Sequence, residues 1–356
     1  MFRTFDRLEE SQLREIKKIL IIQQKPFGDI LLNTGYLPEL RRHFPDARID
    51  YLIQRPYLTV MEDNPHLDNL VIMEAPRGRG LGYILPQIAA AARVRKNRYD
   101  LIIDQLRGTS SARIIIFSGA RYRLGYIKKG WNFLYNVQIP QARVCYRSIY
   151  KFYLLAPLGI DLREHNLEYK IRPASFDYIQ KWLQDVGLNG ADIIAISAGS
   201  PVKAKRWNPG SFAALGDMIQ RQTDFKIVLP WAPGEKSYAE EVAGRMQTKA
   251  LLSPPTSFNE AGALLNFTKL LICNDGGLNH LAFSQKTPSV SIFGPKSNPL
   301  KWCPWHRREY VYLKDMDNRD LEDDTFNITP DQVFEKVQAL LKVLDGGNSS
   351  RIDSTR

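Results

Sequence analysis

The sequence predicts a doubly wound α/β protein built in two similar halves, and three observations carry that prediction. Short apolar, β-branched runs recur without polar alternation. Stretches of helical period separate them. The pattern then begins again near the middle of a 356-residue chain. Apolar runs that do not alternate mark strands buried on both faces, as in parallel sheets. Strand–helix–strand alternation implies crossover helices on those faces. A chain of this length also fits two domains better than one.

In the first half the strand-like runs are KILIIQ (18–23), RIDYLIQ (48–54), NLVIM (69–73) and DLIID (100–104). In the second they are DIIAISA (192–198), FKIVLP (225–230), KLLICN (269–274) and PSVSIF (288–293). Helical periodicity is clearest in GSFAALGDMIQRQ (210–222), SYAEEVAGRMQ (237–247) and TPDQVFEKVQALLKVL (329–344). The break falls near EYKIRPASF (168–176), giving domains 1–170 and 171–345, with 346–356 expected as a disordered tail. Two such halves facing each other are expected to enclose a central cleft at the carboxyl ends of their strands, where open α/β sheets bind ligands.

Composition narrows the function classes. No apolar run reaches the length of a membrane-spanning helix, and the charged start MFRTFDRLEESQLREIKK lacks the apolar core of a secretory signal. Cys145, Cys273 and Cys303 lie far apart, giving neither a disulfide framework nor metal-ligand spacing, and point to a reducing cytoplasm. Charge is lopsided. Residues 1–170 hold 27 Lys/Arg and 17 Asp/Glu, a net of +10, so almost all of the chain's +11 lies there. The window 101–150 has eight basic residues against Asp104 alone. A solvated basic face is the plain reading. The sharper one is attraction to an anionic partner such as a lipid surface or a phosphorylated glycolipid. Zinc-finger spacing and an RNP1-like aromatic run are missing, so nucleic acid is not expected.

Three strand-to-helix junctions carry the chemistry. After the first run comes QQKPFGDILL (23–32), which places Lys25, Gly28 and Asp29 where a helix begins. A helix cap is the plain explanation of that acid, since Asp caps readily. After the first run of the second half comes SAGSPVKAKRWNPGSFAAL (197–215), where Lys205 and Arg206 precede the next helix and suit a phosphate. After KLLIC comes NDGGLNHLA (274–282): Gly276 and Gly277 let the backbone approach a ligand, and helix N–H groups favour an anion. Asp275 beside them is suited to sugar hydroxyls. Asx–Gly turns are common, so this junction alone is weak.

Together, in this order, the junctions resemble glycosyltransferase family 9, the ADP-heptose:lipopolysaccharide heptosyltransferases. KILIIQQKPFGDILLNTGYLPELRRHFPDARIDYL is similar to the family's opening, KRWNPGSFAAL to its middle motif, and LICNDGGLNHLAFSQKTPSVSIFGPKSNPLKWCPW to its C-terminal signature. The resemblance covers residues 17–345. It implies the GT-B architecture, two Rossmann-like domains, the first for the acceptor and the second for the nucleotide sugar. It implies catalytic roles for Asp29, as general base, and for Lys205, near the donor phosphates. It implies donor contacts from Asn274, Asp275, Gly276, Gly277 and His280, and more loosely from Glu235 in LPWAPGEKSYAEE. Lys25 beside the first turn and Arg107 in DQLRG (104–108) are the candidate acceptor contacts. The family usually has Ser or Thr where this chain has Gly276, so a hydroxyl is missing and the backbone N–H is left to serve.

These roles make one expected reaction. A carboxylate takes the acceptor hydroxyl's proton as the oxygen attacks C1 of the donor sugar. Lys205 and the helix end hold the leaving diphosphate, with no metal and no cofactor. The outcome is an inverting heptosyl transfer from ADP-heptose to a lipid A–core acceptor, on the cytoplasmic face of a membrane that the protein touches peripherally. Two alternatives belong to other classes: an isomerase of the sugar-nucleotide 2-epimerase kind, and a non-catalytic glycan- or membrane-binding protein. DMD (315–317), in KDMDNRDLEDD, is read as a solvated loop rather than a metal motif. RGRGLG (77–82) does not fit G-x-G-x-x-G, which sets aside a nicotinamide site. Trp207, Trp302 and Trp305 are read as packing residues, and Cys273 as a small buried one.

Overall fold

The apolar runs pair side by side into two all-parallel sheets. The computed structural model describes residues 6–127, 129–141, 144–161, 166–317 and 326–349. The chain divides into two compact units, Met1–Lys170 and Ile171–Arg356.

In the first unit the strands are β1 (Lys18–Ile22), β2 (Arg48–Gln54), β3 (Asn69–Met73), β4 (Leu101–Asp104), β5 (Tyr122–Tyr126) and β6 (Val137–Ile139), in the order β3-β2-β1-β4-β5-β6. The helices are α1 (Glu10–Arg14), α2 (Phe27–Leu31), α3 (Leu37–His43), α4 (Leu81–Asn97), α5 (Thr109–Ser118) and α6 (Arg147–Tyr153). Residues Ile19 to Ile22 are wholly buried because β1 is central, with β2 on one side and β4 on the other. Ala90, Ala91 and Val94 of α4 and Ala112, Ile114 and Ile115 of α5 join Leu20, Ile22, Leu52 and Ile102 in one core.

The second unit repeats the plan. Its strands are β7 (Ile193–Ser197), β8 (Lys226–Leu229), β9 (Ala250–Leu252), β10 (Leu270–Asn274), β11 (Ser289–Phe293) and β12 (Tyr310–Lys314), ordered β12-β11-β10-β7-β8-β9. Its helices are α7 (Pro173–Asp185), α8 (Pro209–Gln222), α9 (Lys236–Arg245), α10 (Phe258–Asn266), α11 (Gly277–Ser284), α12 (Pro299–Trp302) and α13 (Pro330–Ser349). Phe212 and Ile219 of α8 and Val333 and Val337 of α13 pack on Ile194, Ile196 and Ile272. Ile179, Leu183, Ala263 and Leu264 gather with Ile193 and Val228 in a second core.

Both sheets reverse direction of growth next to their first strand, between β1 and β4 and between β7 and β10. At such a switch point the following loops diverge and leave a crevice for ligand. All eight strand-like runs form strands. The tail expectation needs correcting for 346–349, because α13 continues to Ser349; residues 350–356 lie outside the described residues.

Candidate active site

The switch point of the first unit is built from the loops after β1 and β4. Lys25 is exposed, the Lys25–Pro26 bond is cis, and α2 begins at Phe27. The cap is Pro26, so Asp29 stands in the first helical turn and caps nothing with its side chain. That corrects the cap reading and leaves the half-buried carboxylate to the crevice.

Lys151 of α6 lies beside it. Its Nζ is 3.9 Å from Asp29 Oδ1, and it donates to Gln23 Oε1 at 2.9 Å. Burial pulls its pKa down to about 8, and the nearby Asp29 carboxylate partly opposes that fall. Gln105 Nε2 donates to the Lys151 carbonyl, which ties α6 to the loop after β4. Nothing in the FYLL surroundings of Lys151 marks it as special in sequence; only the fold brings it to Asp29.

In DQLRG, Asp104 is fully buried and acts as an anchor. It accepts from Leu106 N, Arg107 N, Ser111 Oγ and Tyr135 Oη. Arg107 takes φ +55°, a left-handed turn those bonds hold in place. Its Nη1 donates to Tyr150 Oη at 2.7 Å, and its guanidinium lies 5.2 Å from the centre of the Tyr126 ring. Tyr126 and Tyr150 stack at 4.5 Å. A positioned arginine over an aromatic pair at a strand end suits an anionic or sugar ligand.

The second unit's switch point is more tightly assembled. Lys205 Nζ is 2.7 Å from Asp275 Oδ2, and Ser297 Oγ donates to the same oxygen at 2.9 Å. Asp275 is buried, whereas Lys205 keeps a third of its side chain in solvent. The loops after β7, β10 and β11 therefore meet at one carboxylate. Asn274 turns inward: its Oδ1 accepts from Trp207 N and its Nδ2 donates to Ala198 O. It fixes the Lys205 loop from inside, with its side-chain amide engaged by backbone groups of the Lys205 loop rather than turned to the crevice. Trp207 is fully buried and donates Nε1–H to Ile328 O, a packing role.

Gly276 is extended, at φ −168° and ψ −177°, and caps α11, with Gly277 as that helix's first residue. His280 is buried one turn further, its ring 6.1 Å from Trp302. Glu235 is brought in by the loop after β8. Its carboxylate lies so close to Gly199 that a Cβ there would fall 2.2 Å from Oε2. Burial raises its pKa, and Arg206 partly opposes the rise. Arg206 itself donates to Ser200 O and lies over the Tyr238 ring at 5.3 Å. Sequence reasoning passed over Ser297, which lies in the signature FGPKS but stands out only once β11 aims it at Asp275.

The DMD stretch divides in two. Asp315 is buried, accepting from Asp317 N and Asn327 N, so it organises the turn after β12 instead of facing water. Met316 and Asp317 are exposed. Among the described residues no three His, Cys, Asp or Glu side chains gather as a metal site; residues 318–325 of this stretch lie outside them.

Two consecutive Rossmann-like units, each with a polar cluster at its switch point, define the GT-B class of protein. The chain belongs to glycosyltransferase family 9 (heptosyltransferase), whose model matches residues 88–325. It is thus a glycosyltransferase. It is 24% identical over 343 residues to lipopolysaccharide heptosyltransferase 3 of Escherichia coli, covering 90% of this chain and 98% of that one. Its fold matches the glycosyltransferase family 9 protein of Veillonella parvula at a TM-score of 0.79 and 23% identity, over 91% of this chain and 97% of that one. It also matches the E. coli ADP-heptose lps heptosyltransferase II at 0.73 and 19%, over 92% and 99%.

Proposed function

We propose that the protein transfers a heptose from ADP-heptose to the inner core of a lipopolysaccharide acceptor, by one inverting displacement and without a metal. Support for the substrates comes from the relatives, whose names carry lipopolysaccharide and ADP-heptose. The first unit takes the acceptor and the second the donor. Asp29 accepts the proton of the attacking hydroxyl, and Lys25 and Arg107 face the acceptor's anionic groups. Lys205 and the N-terminus of α11 receive the diphosphate charge as the C1–O bond breaks. Asp275 and Ser297 hold Lys205 at that place before the charge develops. Glu235 and His280 border the donor site. The acceptor is membrane-held, so the enzyme works as a peripheral protein on the cytoplasmic face; no helix among the described residues is long and apolar enough to cross a membrane.

The observation that carries this reading is the Lys205–Asp275–Ser297 cluster beside a glycine-led helix, a cation and backbone donors at one switch point. The test follows ADP release from ADP-heptose, first alone and then with a lipid A–core acceptor, with and without a strong chelator. Acceptor-dependent release that survives chelation is expected. Conversion of donor alone into an isomeric ADP-sugar, read by chromatography, marks an isomerase; neither ADP release nor conversion of the donor marks a binding protein; and rescue of a chelated enzyme by Mg or Mn overturns the metal-free mechanism.

A further inference from the structure

The first unit carries an exposed apolar face that the transfer chemistry does not use. Among the described residues of this unit, the ten exposed large hydrophobic side chains all lie between Leu81 and Tyr153. Leu81, Leu85 and Ile88 recur at helical spacing along α4 and are 73%, 55% and 55% exposed. Ile116 and Phe117 of α5 are 55% and 65% exposed. Arg113 of α5 donates to Gln87 Oε1 of α4 and lies over the Tyr83 ring, so the two helices run side by side. Further along, Gly119 lies against the Arg95 guanidinium. The residues between these two ties, Ile88 on α4 and Ile116 with Phe117 on α5, therefore share one level of the pair. The opposite faces of the same helices fill the core. Both helices are thus apolar inside and apolar outside, which a surface facing only water does not select.

The charge around this face says what covers it. Between Arg77 and Arg147 the sequence has fourteen Lys/Arg and two acids, Asp100 and Asp104. Asp100 accepts the backbone N–H groups of Lys17 and Lys18, and Asp104 is buried. Arg77, Arg79, Arg93, Arg95 and Lys96 are exposed beside the α4 row. A second copy would bring like charge against like charge. A nucleic acid would meet the cations but leave the leucines without a partner. An anionic bilayer satisfies both: phosphates take the rim and the acyl boundary takes the apolar centre.

We propose that the exposed face of α4 and α5 is the membrane-insertion surface of this enzyme, with Leu85, Ile88, Ile116 and Phe117 entering an anionic lipid leaflet. This deepens the proposed function, because it rests on a membrane-held acceptor. The readout needs no donor and no acceptor, so a failed transferase assay leaves it standing.

The test measures partition onto vesicles of phosphatidylglycerol and phosphatidylcholine across a salt series. Leu85→Ser/Ile88→Ser/Phe117→Ser is expected to weaken partition about a hundredfold or more, given the transfer free energies of such side chains. Tyr178→Ser/Leu300→Ser, on exposed apolar residues of the second unit, is expected to partition as wild type. In a Phe117→Trp variant, lipids brominated on their acyl chains should quench the new indole. A triple variant that partitions as wild type overturns the proposal. So does an unquenched indole, or binding to duplex DNA without binding to vesicles.

Discussion

Lys151 Nζ lies 3.9 Å from Asp29 Oδ1, and its ammonium is almost wholly out of solvent. Burial lowers its pKa from 10.5 to about 8. The unfolded chain therefore binds the extra proton between those two values, and this group's contribution to stability rises with pH across that window. Below pH 8 the buried charge costs on the order of 3 kcal/mol. Lys151→Met removes that cost and fills the same space but takes the donor from buried Gln23 Oε1, a loss of about 1–3 kcal/mol, so at pH 7 the two effects should nearly cancel in chemical denaturation. Wild type is expected to show an inflection near pH 8 in kcat/KM, and Lys151→Met to lose it. An inflection that persists in Lys151→Met assigns it to another group.

Asp29→Asn should keep the fold and the donor affinity and lose about a hundred- to ten-thousand-fold in turnover. Asp29 sits in the first turn of α2, where a carboxylate gains from the helix dipole. Losing that gain costs about 0.3–1 kcal/mol, too little to unfold a domain. Near-normal release of ADP by this variant removes Asp29 from the chemistry.

What could be seen in the sequence and what could not divides along physical lines. Central strands such as KILII and LLICN are buried on both faces, so their apolar runs show plainly. β6 and β9 have three residues each and lie at sheet edges, so little periodicity remains to find. β5 reads YRLGY, where Arg and Gly interrupt the run; Gly125 is there because Tyr135 fills the space a Cβ would take, 2.5 Å away. The junction positions of Asp29, Lys205 and Asp275 are legible, because the turn chemistry that ends a strand sits next to each of them. Lys151 and Ser297 are not, because each reaches its partner across more than twenty residues of chain. Asp315 looked like a solvated charge and is a buried turn anchor, a difference that only its two backbone donors reveal.

Lys205→Ala should lower kcat more than it raises the donor KM, because the diphosphate gains charge only as the sugar leaves. A loss of about a hundredfold is expected for one charged donor at such a site. The variant also strands buried Asp275 with Ser297 alone, at a cost of roughly 1–2 kcal/mol for a pair whose lysine is partly solvated. Lys205→Ala/Asp275→Asn should recover that stability without recovering kcat. If the double variant regains turnover, Lys205 serves only to neutralise Asp275.

The glycine pair after β10 makes opposite predictions for its two members. Gly276 has extended backbone that any residue adopts, and a Cβ there would meet only Asn274 O at 3.9 Å, an ordinary contact. Gly276→Ser therefore adds a hydroxyl at the N-cap of α11, a position where Ser is favoured. Thermal stability should hold or rise, and calorimetric affinity for ADP should stay level or improve. Gly277 is the first residue of α11, where its bare backbone lets a phosphate approach the helix N–H groups. Gly277→Val places a branched side chain in that approach and should weaken ADP binding about tenfold or more, since a lost set of charge-assisted donors is worth at least that. The helix tolerates Val at its start at a small propensity cost, so the fold should persist in a melting experiment. Unchanged ADP affinity in a folded Gly277→Val protein places the diphosphate away from this turn, and with it the role given to Lys205.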